Sequence, residues 1–370
     1  MIHSVTRRRH LTWLVIGAAA IFTLGLWGCS TTDNAPVSPD LTGDTGLSLT
    51  NPRVQAVMSV QELHTQGLMA DPDVIGTAVA LDDNSQPAIM MLVTTQKAFD
   101  AAPKTIDGVP VKVVLTDKIV AMRTSGGVSH TAKQTPPIKL GTSGGWRYDL
   151  ANGYCCAGTL GSLISVGGQK RILSNYHVFE ADIVSGGNSR VAATGDYVIQ
   201  PGLIDVGCNA ANAQNVATLV KSSSLPNSNV DCSSANIITG MVDATGNILE
   251  IGVPSATTVA ASVGQKVKKS GRTTGLTRSA VSGLNATISV SYENECAGGT
   301  AFTKTFTGQI LVTNTRSSFL GGGDSGSLMV EDITTNPRAV GLLFAGSTSI
   351  AVANPIGQVL SFFGATMVGN

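Results

Sequence analysis

The second half of the chain consists of short apolar segments separated by turns. From about residue 146 to residue 370, apolar runs of strand length alternate with glycine, asparagine and serine, and no long helical period appears. Glycine accounts for 42 of the 370 residues, and charged residues make up only 13%. Short strands joined by turns are typical of all-β barrels and sandwiches. The sequence therefore predicts an all-β domain over residues 146–370.

One turn in this region has the composition of a nucleophilic serine loop. Gly323-Asp324-Ser325-Gly326 follows two further glycines and precedes an apolar run. Glycine opens backbone dihedrals that are closed to other residues, so the amides of Gly323 and Ser325 could point at one oxygen as an oxyanion hole. The same four residues also make an ordinary turn between strands. The remaining residues of a catalytic set must therefore decide its function.

A serine alcohol needs an imidazole to take its proton and a carboxylate to orient that imidazole. No histidine follows Ser325, which excludes the Ser, Asp, His chain order of α/β-hydrolases and leaves the order His, Asp, Ser. We assign His177 as the base because an apolar strand runs into a polar turn there; the alternative is a structural histidine. The complete set of histidines is His3, His10, His64, His130 and His177.

The orienting acid must come from the aspartates between the base and the nucleophile. Asp231 is favoured because it follows a polar loop and enters an apolar stretch. Asp205 is the second choice, although a turn aspartate before Gly207 explains it adequately. The candidates in this interval are Asp182, Asp196, Asp205, Asp231 and Asp243.

These segments together resemble the trypsin-like serine peptidases. The hairpin 156–164, the His177 segment, the Asp231 segment and the serine turn occur in the order and at the approximate spacing of that family. Further pieces resemble a bacterial branch related to a plant leaf-shape protease, and they are residues 196–202, 264–276 and 341–346. The resemblance spans roughly residues 138–365. It implies a chymotrypsin-like double β-barrel of six strands each, with the catalytic triad in the cleft between the barrels.

The resemblance also implies residue roles in a serine endopeptidase that cleaves polypeptides. Ser325 would attack the scissile carbonyl, His177 would shuttle the proton and Asp231 would hold His177. Asp324 would anchor the oxyanion loop, although the Arg-Ile-Val-Gly-Gly junction that often activates the family is absent. The substrate pocket would be formed by Phe319, Ala345, Gly346 and Ser347. Since Phe319 stands where an acid would select basic side chains, an uncharged, apolar residue is expected at the cleaved position. The alternative function is a catalytically silent, membrane-tethered peptide-binding module.

The amino terminus has the pattern of an export signal. Three arginines precede the apolar run 11–26, which has the size of a signal-peptide core. Leu26-Trp27-Gly28-Cys29 resembles a bacterial lipobox, so residues 1–29 are predicted to be a lipoprotein signal peptide with lipid on Cys29. Residues 30–50 are then a flexible polar tether. The alternative is a plain secretory signal, and both alternatives place the mature chain outside the cytoplasm.

Residues 51–123 are predicted to form a small α+β pro- or regulatory domain. A helix is predicted over 54–68, with Val54, Val57, Met58 and Leu63 on its apolar face and Gln61 opposite. The remaining predicted elements are strands at 74–81, 88–93, 109–114 and 119–122 and a helix at 97–102. A linker at 124–145, rich in Gly, Ser, Thr and Pro, follows. A spacer that lifts the protease from the membrane is the alternative role.

Other chemistries have little support. The two histidines of a zinc peptidase helix, four residues apart, do not occur, and neither a metal nor a cofactor is predicted. The basic cluster of Lys266, Lys268, Lys269 and Arg272 is interpreted as a solvated hairpin rather than a nucleic-acid surface. Basic and acidic side chains balance at 24 each.

The cysteines allow disulfides in an exported protein. The compartment permits these bonds, and a bond between Cys208 and Cys232 is predicted because it would close the loop that leads to Asp231. Adjacent Cys155 and Cys156 would point to opposite faces of a strand, so they are expected to have different partners.

Overall fold

The amino-terminal segment forms a helix-backed sheet. The computed structural model describes residues 47–121, 130–151, 154–180, 190–292 and 301–370. The first elements are β1 (Leu47–Ser48), α1 (Pro52–Leu68), β2 (Val74–Leu81), β3 (Pro87–Val93), α2 (Gln96–Ala101), β4 (Thr105–Ile106), β5 (Val109–Leu115) and β6 (Val120–Ala121). All predicted elements of this segment lie within two residues of these bounds.

Helix α1 buries most of its predicted apolar face, with Met58 packed beside Val54 and Val57, but not Leu63. Val54, Val57 and Gln61 are buried, whereas Leu63 is 74% exposed. At 100° per residue, Leu63 lies half a turn from Val54, so the two cannot share a face. The Gln61 amide instead donates a hydrogen bond of 2.9 Å to Thr77 Oγ1 on β2. The prediction that placed Leu63 inside and Gln61 outside was wrong.

The first barrel contains six strands and closes through one bent strand. Its elements are β7 (Thr142–Trp146), β8 (Leu150–Ala151), β9 (Tyr154–Cys155), β10 (Gly158–Leu160), β11 (Ser162–Val166), β12 (Gln169–Ser174), α3 (Tyr176–Phe179), β13 (Tyr197–Gln200), β14 (Gln214–Val220) and β15 (Ser233–Ile237). The sheet order is β10-β7-β13-β14-β15-β12-β11, and the late strand β23 (Ala365–Met367) pairs with the outer side of β11. Only Gly161 separates β10 from β11, so these two segments form one bent strand that joins opposite sides of the sheet. With this bent strand counted once, the sheet curls into a barrel of six strands.

The second barrel also has six strands and closes through a direct pairing. Its elements are β16 (Ser262–Val263), β17 (Lys266–Gly271), β18 (Gly275–Tyr292), β19 (Phe302–Thr313), β20 (Leu328–Glu331), β21 (Ala339–Gly346) and β22 (Ile350–Pro355), followed by α4 (Ile356–Phe363) and β23 (Ala365–Met367). The order β17-β20-β21-β22-β19-β18 returns to its start because β17 also pairs with β18. The predicted chymotrypsin-like double β-barrel is confirmed.

The amino-terminal sheet continues directly from the second barrel. Strand β18 pairs with β19 on one side and with β2 on the other, where Gly283 faces Ala80. Residues 46–370 form one compact unit. Strand β7, which belongs to the first barrel, begins at Thr142, within the predicted linker. Among the described residues, no helix is long and apolar enough to cross a membrane.

The disulfide pattern differs from the predicted one. Cys155 is bonded to Cys208, with their Cα atoms 5.6 Å apart, and Cys156 is also disulfide-bonded. Cys232 is a free thiol buried in the core cluster of the first barrel. The predicted bond between Cys208 and Cys232 was wrong because Cys232 faces this core, while Cys208 lies against Cys155.

Candidate active site

The first barrel holds a buried histidine and a buried aspartate in direct contact. His177 lies on α3, which begins two residues after β12 ends, and Asp231 lies two residues before β15. His177 Nδ1 is 2.6 Å from Asp231 Oδ2. The other oxygen, Oδ1, accepts the backbone N–H of Tyr176 at 2.7 Å. Because β12 and β15 pair with each other, their adjacent ends bring the two side chains together.

This contact fixes the state of the imidazole. A carboxylate can only accept hydrogen bonds, so Nδ1 of His177 carries the proton that faces Asp231. In the neutral ring, Nε2 is then the proton acceptor. That tautomer is the one required of a general base that acts through Nε2.

Two further contacts hold Asp231 in position. The hydroxyl of Tyr292, at the end of β18, donates to Asp231 Oδ2 at 2.9 Å. The same tyrosine ring packs edge-on against His177, with ring centroids 5.9 Å apart. The backbone N–H of Asp231 donates to Asn354 Oδ1 on β22. Tyr292 and Asn354 both belong to the second barrel, so the orientation of the acid depends on both barrels.

The serine loop of the second barrel packs onto the strands that lead to His177. Ser325 O accepts the N–H of Thr159 at 2.8 Å, and Thr159 Oγ1 donates to Gly323 O. A Cβ on Gly158 would lie 3.0 Å from Ser325 O and 2.5 Å from Cγ2 of Val178, the neighbour of His177. The chain near Ser325 and the chain near His177 therefore flank the same glycine.

Glycine is required within the loop at Gly326. Its φ is +94°, and an added Cβ would lie 2.2 Å from Ser174 Oγ and 2.4 Å from Thr159 O. Gly323 also has a positive φ, of +92°. Any larger residue at 326 would push the loop away from β12. The Ser325 hydroxyl donates to Phe344 O at 3.1 Å on β21. The oxyanion roles of the Gly323 and Ser325 amides stay a prediction.

Asp324 is buried beneath this loop and is paired with a lysine. Lys269 Nζ lies 3.1 Å from Asp324 Oδ2, and both side chains are fully buried. Asp324 also accepts the backbone N–H groups of Gly321, Thr273 and Thr274. Burial lowers the pKa of Lys269, and the charge of Asp324 partly offsets this effect. Lys269 thus provides a buried counter-charge for this aspartate within the same barrel.

The basic cluster is largely buried, which corrects the solvated hairpin predicted for it. Lys268, Lys269 and Arg272 are all buried. Arg272 forms a two-pronged ion pair with Asp205, with Nε–Oδ2 and Nη2–Oδ1 distances of 2.7 and 2.5 Å. Asp205, the second choice for the acid, is therefore engaged by Arg272 and Ser143, and Asp231 is the aspartate in contact with His177.

The residues predicted to line the substrate pocket lie in two different settings. Phe319 is buried within a core cluster of the second barrel. Ala345 and Gly346 pair with strand β6, and Ser347 Oγ is 2.6 Å from Thr116 Oγ1. Their role as a pocket stays a prediction. Among the described residues, no group of three His, Cys, Asp or Glu side chains is arranged to hold a metal ion.

Several contacts in the site were missed from the sequence. Tyr292 and Asn354 lie outside the triad segments, and no local motif marks them. Lys269 was noted as part of the basic cluster, but its pairing with Asp324 was missed. Thr159 lies in the hairpin that carried the family resemblance, and its position beside a glycine was the available signal. Its side chain contacts the serine loop, as described above.

Comparisons with known proteins find only distant similarity. A family model described as the Nal1 C-terminal domain matches residues 210–354. Thermobifida fusca protease A is 21% identical, with 63% of this chain and 99% of that chain covered and a TM-score of 0.40. Cellulomonas bogoriensis chymotrypsin is 21% identical, with coverage of 57% and 91% and a TM-score of 0.37. A glutamic acid specific serine protease is 18% identical, with coverage of 62% and 100% and a TM-score of 0.40. No curated protein matches the chain.

Proposed function

We propose that this chain is an exported serine endopeptidase that cleaves polypeptides through an acyl-enzyme. The observation that carries the proposal is the 2.6 Å contact between His177 Nδ1 and Asp231 Oδ2, beside a serine loop packed against the same strands. An imidazole oriented by a buried carboxylate is the base that a serine nucleophile requires. The fold alone would not support this proposal, because one fold hosts many functions.

Each residue has a defined role in the proposed reaction. Ser325 Oγ attacks the scissile carbonyl carbon while His177 Nε2 takes the hydroxyl proton. The protonated His177 then gives this proton to the leaving amine, and the carbon–nitrogen bond breaks. Asp231 stays ionised and stabilises the imidazolium. Water, deprotonated by His177, hydrolyses the acyl-enzyme and restores the serine.

A fluorophosphonate probe tests the nucleophile directly. We expect the probe to label the mature chain at Ser325 and to leave Ser325→Ala unlabelled. Ser327→Ala is a matched control in the same loop, because the Ser327 hydroxyl donates to Asp324 O and has no proposed part in the chemistry. Equal labelling of the wild type and Ser325→Ala would contradict the proposed mechanism.

The proposed substrates have an uncharged, apolar residue at the cleaved position. Phe319, which stands where an acid would accept a basic side chain, offers no charge partner, and burial of an unpaired Lys or Arg is costly. A peptide-library profile measures this preference. Predominant cleavage after Lys or Arg would show that the pocket assignment is wrong.

A silent peptide-binding module is the second candidate. The side chains of His177, Asp231 and Ser325 are almost entirely buried, which favours a site already covered. The probe experiment separates the two candidates, because a silent module would leave Ser325 unlabelled.

We further propose that lipid on Cys29 tethers the mature protein to a membrane. Cys29 lies outside the described residues, and the lipobox pattern supports the proposal. A palmitate analogue should label the wild type and not Cys29→Ser, since thioether formation needs the thiol. Equal recovery of both proteins in the soluble fraction would favour simple secretion.

A further inference from the structure

Strand β6 lies between two strands that each contact the proposed triad. On one side it pairs in parallel with β18, where Ser291 donates its N–H to Ile119 O at 3.0 Å. On the other side it pairs antiparallel with β21. The residue after Ser291 is Tyr292, which binds Asp231, and the residue before the paired part of β21 is Phe344, which accepts the Ser325 hydroxyl. Strand β6 therefore passes directly beside the site.

The register directs β6 toward the nucleophile. Val120 faces Gly346 and Ala121 faces Ala345, so each step forward along β6 moves one residue closer to Phe344. A polypeptide substrate must bring the residues before its scissile bond to the serine in one direction. Strand addition is a common way to hold an extended peptide, because main-chain hydrogen bonds position it independently of sequence. Strand β6 has the position and chain direction expected for the residues that precede the scissile bond of such a peptide.

Side chains fix the segment that precedes β6. Thr116 Oγ1 lies 2.6 Å from Ser347 Oγ in a buried contact, and Asp117 accepts the Thr348 hydroxyl at 2.6 Å. Ile119 is buried in the apolar cluster that also contains Phe344 and Tyr292. Polar contacts at one end and an apolar anchor at the other hold residues 116–121 along the edge of β21.

We propose that residues 116–121 are an intramolecular peptide ligand of the active-site cleft, occupying the place of an extended polypeptide substrate. The inference deepens the proposed peptidase function but concerns binding, so it can be tested without turnover. The pairing of β2 with β18 attaches the ligand to the barrel that binds it. Its effective concentration is then of the order of millimolar, typical of a short tether. External peptides must compete with it.

A labelled peptide measures whether the cleft is occupied. The probe is a capped fluorescent peptide with the sequence of residues 116–121, added to full-length chains that carry Ser325→Ala. Ile119→Asp places a charge in the apolar cluster and should release the segment. The matched control is Ile333→Asp, the same substitution at a side chain that is 48% exposed. We expect anisotropy to show at least about tenfold tighter binding to Ile119→Asp than to Ile333→Asp, given the intramolecular competition.

Some outcomes of the peptide-binding measurement contradict the proposal. Equal affinity for the two variants, or no binding to either, would overturn the proposal, and a scrambled peptide must bind neither. Val120→Pro replaces Ile119→Asp if the latter does not fold, because proline is excluded from a strand paired on both edges.

Fluorophosphonate labelling of chains that keep Ser325 distinguishes this proposal from the peptidase function. We expect Ile119→Asp to react at least about tenfold faster than Ile333→Asp, for the same competition. Tighter peptide binding without labelling of either variant would support the ligand and contradict the peptidase. Labelling at equal rates, with equal peptide affinity, would support the peptidase and overturn the ligand.

Discussion

Each barrel buries one aspartate next to a residue of the proposed active site: Asp231 contacts His177, and Asp324 precedes Ser325. The negative charges of the two aspartates are compensated by different groups. In the first barrel, Asp231 accepts hydrogen bonds from His177, from backbone N–H groups and from the Tyr292 hydroxyl. In the second barrel, Asp324 is paired with the Lys269 ammonium and with three backbone N–H groups. Both side chains are fully buried.

This difference in charge compensation indicates different roles for the two aspartates. The charge of Asp324 is already matched by Lys269, so this pair stabilises the loop in every state of the proposed reaction. While His177 is neutral, the negative charge of Asp231 is stabilised by hydrogen bonds alone. When His177 becomes protonated in the proposed reaction, its positive charge also stabilises Asp231. Preorganised groups that gain interaction in the transition state are those that accelerate a reaction.

The largest expected effect is the loss of turnover in Asp231→Asn. The amide would favour the wrong imidazole tautomer, and kcat should fall by about 10⁴-fold while the fold is retained. Peptide-ester hydrolysis measures turnover, and circular dichroism checks the fold.

Asp205→Asn is the matched control for this prediction. Its carboxylate binds Arg272 rather than His177, so stability should fall while kcat changes by less than about tenfold, as for a site outside the chemistry. If Asp205→Asn abolished turnover and Asp231→Asn did not, the assignment of the acid would be wrong.

The second expected effect is a loss of stability in Asp324→Asn. This change leaves the buried Lys269 ammonium without its counter-charge, and breaking one partner of a buried pair costs about 3–5 kcal/mol. Urea unfolding measures the free energy. The double variant Asp324→Asn/Lys269→Met should recover most of the loss, since it removes both charges. A double variant as unstable as the single one would show that the pair is not the cause.

The fold was more predictable than the site because its signals are local. Strand lengths, turn residues and the motifs around His177, Asp231 and Ser325 are contiguous in the sequence, and the resemblance was sufficient to predict two barrels. The burial of Lys269 and Arg272 was not predictable in this way. Their aspartate partners lie 55 and 67 residues away, and a basic run is usually a solvated face.

Contacts between residues far apart in the sequence explain most of the other differences between the predictions and the structure. Cys232 and Cys208 were joined by proximity in the sequence, whereas the fold brings Cys155 to Cys208 from 53 residues away. Leu63 was placed inside because it is apolar, although the helical angle puts it opposite Val54. The docking of β6 on β21 could not be predicted from the sequence, since a two-residue pairing depends on the completed barrel.

A smaller effect is expected for Tyr292→Phe, which removes one neutral donor from Asp231. Hydrogen bonds to charged groups contribute about 1.5–3 kcal/mol, so the free energy of unfolding should fall by that amount. The ring contact with His177 is kept. If Tyr292 is purely structural, Tyr292→Phe should leave the pH dependence of kcat/KM unchanged. If Tyr292 positions Asp231, the substitution should shift the acidic limb of that pH profile. An unchanged pH profile together with unchanged stability would contradict the role given to this hydroxyl.

The smallest effect concerns Cys232, whose thiol lies next to Asp231 in the chain. Burial, and then the negative charge of Asp231, raise the pKa of this thiol well above its usual value of 9.0. As the pH rises past that value, the unfolded chain loses the thiol proton while the folded chain keeps it. Folding stability therefore falls with rising pH in this window, by at most about 1.4 kcal/mol per pH unit for one proton. Urea unfolding between pH 8 and 10, with the disulfides intact, should show a steeper fall for the wild type than for Cys232→Ala. The two proteins differ in stability by a constant amount because of the smaller side chain, and this constant does not affect the slopes. Equal slopes would mean that the pKa of the Cys232 thiol is not raised in the folded chain.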